Sequence, residues 1–252
     1  MALHPLAERF ASIADVYERG RPEYAPAVAG ALGAELGLVP GSPVLDLAAG
    51  TGKLTRALAA AGLDVVAVEP QASMRELLAT RVGPGRALDG HAESIPLDDA
   101  SVSAVTVADA FHWFDRQAAL AEIRRVLRPG GGLAVLASVP DWGGASWAHE
   151  LGTLMHGLRP AHPHFDGPPW QEAVRAAGGW GPPREVRVSA SQPTSAAQLV
   201  DYTASMSWVA AMPEQERASI LAKVSELVHA GETPPEMPVH VVIGLAQLSS
   251  PT

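Results

Sequence analysis

The run VLDLAAGTGKLT, residues 44–55, is apolar up to Ala48–Ala49, breaks at Gly50 and Gly52, and resumes as a helical pattern. A glycine turn between a strand and a helix lets a ligand approach the backbone without meeting a Cβ. Two nucleotide-binding patterns nearly fit it. A phosphate-cradling loop needs Gly-x-x-x-x-Gly-Lys-Ser/Thr, and Gly52-Lys53 supply only its middle. Leu47 stands where its first glycine belongs and Leu54 where its hydroxyl belongs, which argues against a nucleoside triphosphate. The dinucleotide pattern Gly-x-Gly-x-x-Gly is closer, but Thr55 takes the third place, where glycine allows tight packing beside a pyrophosphate. The turn therefore points to a nucleoside without a pyrophosphate. Glu69, in VAVEP, lies 19 residues after Gly50. A carboxylate at about 20 residues from such a turn is placed to accept ribose hydroxyls. The bland alternative is a surface Glu at a strand end. A second group, His156, His162 and His164 in HGLRPAHPH, raises a metal question. Zinc sites want three or four ligands in close geometry. The proline-rich, cysteine-free context favours loop or acceptor-site histidines, and no metal is expected.

These residues need elements to hold them. Short β-rich runs alternate with helical patterns over the first 140 residues. Strands are expected at Pro43–Leu47, Asp64–Val68, Gly85–Leu88, Val102–Ala108 and Leu133–Val139. Between them, Lys53–Ala61 places Leu54, Ala57, Leu58 and Ala61 on one helical face. Ser73 is expected to cap a helix carrying Met74, Leu77, Leu78 and Val82. Asp115 is expected to cap another, with Leu120, Ile123 and Leu127 inward and Arg124, Arg125 and Arg128 near its end. This alternation implies an α/β fold with a doubly wound parallel sheet, whose ligand sits beyond the carboxyl ends of the strands. The glycine turn, Glu69 and the segment after the fourth strand all fall at such ends. Beyond residue 140, a helix through Trp147, Leu151, Leu154, Met155 and Leu158 is expected. A strand at Arg184–Ser189, two helices over 196–230 and a final strand at Pro238–Leu245 follow it.

The chain has 252 residues, enough for one sizeable domain with an added cap. Its net charge of −9 argues against nucleic-acid or anionic-membrane partners. It has no cysteine, which excludes thiolate chemistry and suits a reducing, cytoplasmic setting. The start, MALHPLAERF, lacks the pattern of a secretory leader, and no apolar stretch has the length of a membrane span.

VLDLAAGTGKLT, VAVEP, GHAESIPLDDASVSAV, ADAFHWF and EIRRVLRPGGGL, in that order and spacing, resemble a class I S-adenosylmethionine (SAM) dependent methyltransferase. The match covers residues 10 to 140. It is similar to the small-molecule branch that holds trans-aconitate and biotin-pathway relatives. The resemblance implies a Rossmann-like seven-stranded sheet with an antiparallel last strand lying beside Arg184–Ser189, and a helical cap. It assigns residues 1–30 to a lid, 31–140 to the SAM-binding core, 141–235 to the cap and acceptor region, and 236–248 to the final strand.

Carried over by position, the turn from Ala48 through Gly50, Thr51 and Gly52 would meet the methionine part of SAM. Asp46 would orient that turn or reach the ammonium through water. Glu69 would hold the ribose. Pro70 and Met74 would cover the adenine, and His91, Ala92 and Glu93 would border its edge. The family often has Asp where this chain has His91, and usually Asp where it has Ser103. Asp109 would contact the SAM ammonium or an acceptor. Arg21 would pair with the SAM carboxylate, or else be an exposed Arg before a helix. Tyr17, Tyr24, His112, Trp113 and Trp142 are the expected acceptor contacts, and Trp147 and Trp208 add to an aromatic wall or simply to core. His112 is the candidate general base, since an imidazole accepts a proton near neutral pH. Packing alone is the other reading, because a displacement at sulfonium gains much of its rate from positioning.

The implied activity is methyl transfer from SAM to O, N or C of a small molecule, with natural-product tailoring as one setting, by a monomer or homodimer. Three alternatives stay open. The first is a SAM-binding, cyclase-like enzyme that does not methylate. The second is an NAD(P)-dependent dehydrogenase, disfavoured by Thr55 and by the lack of a Tyr-x-x-x-Lys pair. The third is a non-enzymatic regulatory module.

Overall fold

A computed structural model describes residues 3–143, 146–158, 162–230 and 236–249. A seven-stranded sheet forms its centre, in the order β3-β2-β1-β4-β5-β7-β6. The strands are β1 (Pro43–Leu47), β2 (Asp64–Val68), β3 (Ala87–Leu88), β4 (Val102–Ala108), β5 (Leu127–Pro140), β6 (Arg184–Pro193) and β7 (Glu236–Gln247). Neighbours from β3 to β5 run parallel, while β7 lies antiparallel between β5 and β6. Helices α1 (Pro5–Glu8), α2 (Ala14–Gly20) and α3 (Pro26–Leu36) precede the sheet. Within it come α4 (Lys53–Ala60), α5 (Ala72–Val82) and α6 (Arg116–Val126). Then follow α7 (Ser146–Leu158), α8 (Pro163–Asp166), α9 (Trp170–Ala177), α10 (Ala196–Ala204), α11 (Ser207–Ala210) and α12 (Glu214–Ala230).

The expected seven-stranded, doubly wound sheet is present. β1 and β4 are buried on both faces, as near-continuous apolar central strands must be. One apolar cluster packs Val28 and Leu32 of α3, Leu58 of α4 and Val224 of α12 on one side of the sheet. A second packs Leu120 and Ile123 of α6 and Val174 of α9 on the other. β6 is the edge strand, and its burial alternates residue by residue, as one covered face requires.

Several boundaries differ from expectation. Ser73 is not the cap of α5: that position is Gln71, and the Ser73 hydroxyl donates to the Ala11 carbonyl at 2.8 Å. Tertiary contact with the N-terminal segment took the hydroxyl. α6 ends at Val126, so Leu127 and Arg128 are strand rather than helix, because Leu127 pairs with Val102 in the sheet. Only Ala87–Leu88 of the expected third strand pair, after a short 3-10 turn over Pro84–Arg86. Residues 196–230 form three helices instead of two, with α11 a single buried turn between the others. Asp115 does cap α6, accepting from the backbone of Gln117 and Ala118 at 3.2 Å. No helix among the described residues is long and apolar enough to cross a membrane.

Candidate functional site

The glycine turn is bound to the strand ends around it. Asp46 leaves β1 almost fully buried, at 1% exposure. Its carboxylate accepts from Thr55 Oγ1 at 2.6 Å and Thr106 Oγ1 at 3.1 Å, tying β1 to α4 and β4. Thr55 is thus a positioning hydroxyl, standing where the dinucleotide pattern has its third glycine. Ala48, Gly50 and Gly52 all adopt positive φ, at 56°, 59° and 88°. A Cβ on Gly52 would sit 2.5 Å from the Leu78 Cδ1 tip, which would have to move, and the φ of 88° itself favours glycine there. No atom lies near a Cβ on Gly50, where the turn opens to a cavity.

Glu69 ends β2 at 5% exposure. One carboxylate oxygen accepts from Gly50 N and the other from Gln71 N, each at 2.9 Å. Burial drives its pKa from 4.5 up to about 7, against the pull of those two backbone donors. Burial likewise raises Asp46 from 3.8 to about 6. Its folded form therefore holds the proton more tightly than the unfolded chain does. The contribution of Asp46 to stability thus falls as pH rises from 3.8 to about 6, and stays at that lower level above it. Asp46→Asn removes this titration and keeps an acceptor for a threonine hydroxyl. The melting temperature of the variant relative to wild type is expected to rise by roughly 5 °C across that window, read by calorimetry. A flat difference would show that burial does not raise the Asp46 pKa.

A cavity of about 360 Å³ opens over this turn. Ala48, Gly50, Glu69, Pro70 and Met74 line one side of it. His91, Ala92 and Glu93 line another. A second cavity of about 370 Å³ lies beside the first. His112, Trp142, His162, His164 and Trp208 are among its walls, and the Trp147 side chain falls outside the described residues. Phe10, Tyr17, Asp109 and Trp113 border both cavities. A small recess joins them, walled by Arg21, Tyr24, Lys53 and Gly50. Thr51 and Gly52 line neither large cavity: Thr51 is buried behind the turn with its hydroxyl unpartnered, and Gly52 faces Leu78. Asp46 also lies behind the turn, in the orienting position.

Asp109 touches all three spaces, from a strained backbone at φ 52°. Strain of this kind persists where the surroundings over-determine it. Here Tyr24 Oη donates to its carboxylate at 3.1 Å and Ser138 N at 3.1 Å, while Asp109 N donates to Leu136 O. Burial raises the Asp109 pKa, and Arg21 opposes that rise. Burial and the nearby His164 and His162 push the pKa of His112 down to about 2, so its imidazole is neutral. No group of three or more His, Asp and Glu placed to hold a metal ion occurs among the described residues.

The sequence pattern of the methyltransferase domain family matches residues 45–135. An uncharacterized methyltransferase of Mycobacterium tuberculosis is 38% identical over 221 residues, covering 87% of this chain and 85% of its own. A methyltransferase-like protein of Schizosaccharomyces pombe is 31% identical, over 84% of this chain and 82% of its own. This chain is a class I SAM-dependent methyltransferase. In solved structures, a type II methyltransferase from Anaeromyxobacter dehalogenans superposes with a TM-score of 0.61 at 25% identity, over 91% of this chain and 97% of that one. SAM is the cofactor of the family. The nine-tenths-buried Glu69 carboxylate on the cavity wall and the open space over Gly50 suit it here.

In this methyltransferase the N-terminal segment is bound across the site by residues that motif reading passed over. Gln71 Nε2 donates to Ala7 O at 2.6 Å. Glu18 pairs with Arg56 at 3.2 Å and Arg81 at 3.3 Å, and Glu23 with Lys53 and Arg56 at 2.7 Å each. Arg21 is not exposed. Its Nε donates to Ser205 Oγ at 2.8 Å, and its guanidinium lies over Tyr17 and Tyr202, 5.4 and 4.9 Å from the ring centroids. Gly20 meets α10 so closely that a Cβ would fall 2.4 Å from Tyr202 N. The signal available in sequence was the charge pattern Glu18, Arg19, Arg21, Glu23, which does not name its partners.

Proposed function

We propose that this methyltransferase moves a methyl group from SAM in the first cavity to a small molecule in the second. The carrying observation is that the two cavities share Phe10, Tyr17, Asp109 and Trp113 as common walls. In this reading Glu69 accepts the ribose hydroxyls, displacing part of its present bonding to Gly50 and Gln71. Pro70, Met74, His91, Ala92 and Glu93 enclose the adenine. The methionine end lies toward the recess, where Ala48, Gly50 and Asp109 face the ammonium and Arg21 and Lys53 the carboxylate. Bound there, SAM supplies an electrophilic methyl on a sulfonium. Tyr17 and Trp113 exclude water between the two spaces and hold the acceptor in line, which is where much of the rate of such a displacement arises. His112 is the proton acceptor for an O or N nucleophile. The segment before α3 acts as the lid and the residues after β5 shape the acceptor, while the core between them holds the cofactor.

The test is calorimetric titration with SAM and S-adenosylhomocysteine, followed by an acceptor screen that detects S-adenosylhomocysteine as product. Micromolar binding and product with at least one small molecule are expected. Binding without product across a broad screen would favour the cyclase-like alternative, and no binding of either ligand would overturn the reading.

A further inference from the structure

His112 Nδ1 lies 3.4 Å from His164 Nδ1, and this is the only hydrogen-bond partner of His112 among the described residues. Two facing ring nitrogens need one proton between them. The third histidine fixes its own tautomer. His162 Nδ1 accepts from the backbone N–H of His164 at 3.2 Å, so its proton sits on Nε2, 3.1 Å from Ser207 Oγ. If His112 carries its proton on Nδ1 and donates to His164, its Nε2 is a lone pair for a ligand in the second cavity.

Charge is scarce on the rest of that wall. Trp142, Tyr202, Trp208, Met155 and Met206 supply aromatic and thioether surface. Arg21 is engaged by Ser205 and two tyrosine rings, and Asp109 by Tyr24 and Ser138. Both lie where the cavity meets the recess. The aromatic wall offers a cationic acceptor no carboxylate among the described residues, and a lone pair on His112 Nε2 repels a carboxylate acceptor where it accepts from a hydroxyl.

We propose that the acceptor is a neutral, planar aromatic alcohol whose hydroxyl donates to His112 Nε2, with His164 as the positioning residue that fixes the tautomer. This rests on the methyl-transfer reading above. On transfer, the acceptor O–H bond breaks and its oxygen bonds the methyl carbon. The methyl–sulfur bond breaks with its electron pair staying on sulfur. The proton goes to His112 Nε2, and the Nδ1 proton of His112 passes to His164 Nδ1. The positive charge then rests on His164, which is exposed, rather than on the enclosed His112. That passage is how an imidazole so reluctant to hold charge can still take a proton.

The probes are 2-naphthol and 2-methoxynaphthalene, titrated into the full chain loaded with S-adenosylhomocysteine and followed by quenching of the cavity tryptophans. The alcohol is expected to bind about tenfold more tightly than its ether, the worth of one hydrogen bond in a dry site. His112→Phe should bring the two within roughly twofold, with S-adenosylhomocysteine binding retained as proof of folding. Nitrogen-15 imidazole spectra of the wild type should place the His112 proton on Nδ1. His164→Ala should return it to Nε2, and His164→Asn, whose amide oxygen still accepts, should keep it on Nδ1. Equal binding of alcohol and ether, binding of neither, tighter binding of naphthalene-2-carboxylate, or an Nε2 proton on wild-type His112 would each overturn the proposal. Failure to bind S-adenosylhomocysteine at all would instead sink the parent reading, and this one with it.

Discussion

Glu69→Ala is expected to weaken S-adenosylhomocysteine binding by roughly a hundredfold or more, since hydrogen bonds to a buried charged group are worth about 1.5–3 kcal/mol each. The variant loses two ribose contacts. It also strands the N–H groups of Gly50 and Gln71, which the carboxylate now accepts at 2.9 Å, so the turn itself loosens. The same residue gives binding a pH dependence. Burial lifts the Glu69 carboxyl to about 7 in the empty protein, and ribose hydroxyls prefer the carboxylate. As pH falls below that value the free protein protonates, and affinity should drop by up to about tenfold per unit. The folding sign is opposite in sense. A carboxyl with a raised pKa destabilises the fold increasingly as pH climbs from 4.5 to about 7, and bound ligand offsets this. Calorimetry of wild type and variant at several pH values reads both effects. Variant affinity within roughly threefold of wild type would remove Glu69 from the cofactor site.

Gly20→Ala is expected to be nearly as damaging, though Gly20 lines neither large cavity. Its added methyl would meet the α10 backbone, Asp201 C and Tyr202 N, at 2.4 Å, and backbone does not yield as a side-chain tip does. Either α2 lifts away or α10 shifts. Both outcomes separate Tyr17 and Arg21 of the N-terminal segment from Tyr202 and Ser205. Overpacking of this kind costs about 1–3 kcal/mol of stability. The larger loss falls on ligand affinity, expected to drop roughly tenfold or more, because the wall shared by the cavities depends on that contact. Limited proteolysis should cut the variant ahead of Pro26 while the sheet resists. An uncut segment and unchanged S-adenosylhomocysteine affinity would show that α2 tolerates the displacement.

The two variants separate what could be read from the chain from what could not. The place of Glu69 on the cavity wall was legible because it depends on local features: a strand end, a fixed distance from a glycine turn, in a parallel sheet whose ligands sit at one edge. The same logic found Gly50, Met74 and the strand-end Asp109, and the core strands β1, β2 and β4 to their ends. Asp115 was legible as a cap because capping involves only neighbours. Ser73 was misjudged for the complementary reason, since a residue 62 positions away claimed its hydroxyl. Leu127 was misjudged because pairing with Val102 outweighed a helical period.

The sequence by itself determined the sheet and the glycine turn at the carboxyl end of β1, because hydrophobic period and turn chemistry act over a few residues. Only the tertiary structure decided that Arg21 stacks between two tyrosines, that Thr55 and Thr106 share Asp46, and that His112 faces His164. Apart from Arg21 and Tyr17, those contacts join residues 9 to 181 positions apart in the chain, and no local preference encodes which side chains the folded sheet and its cap bring together.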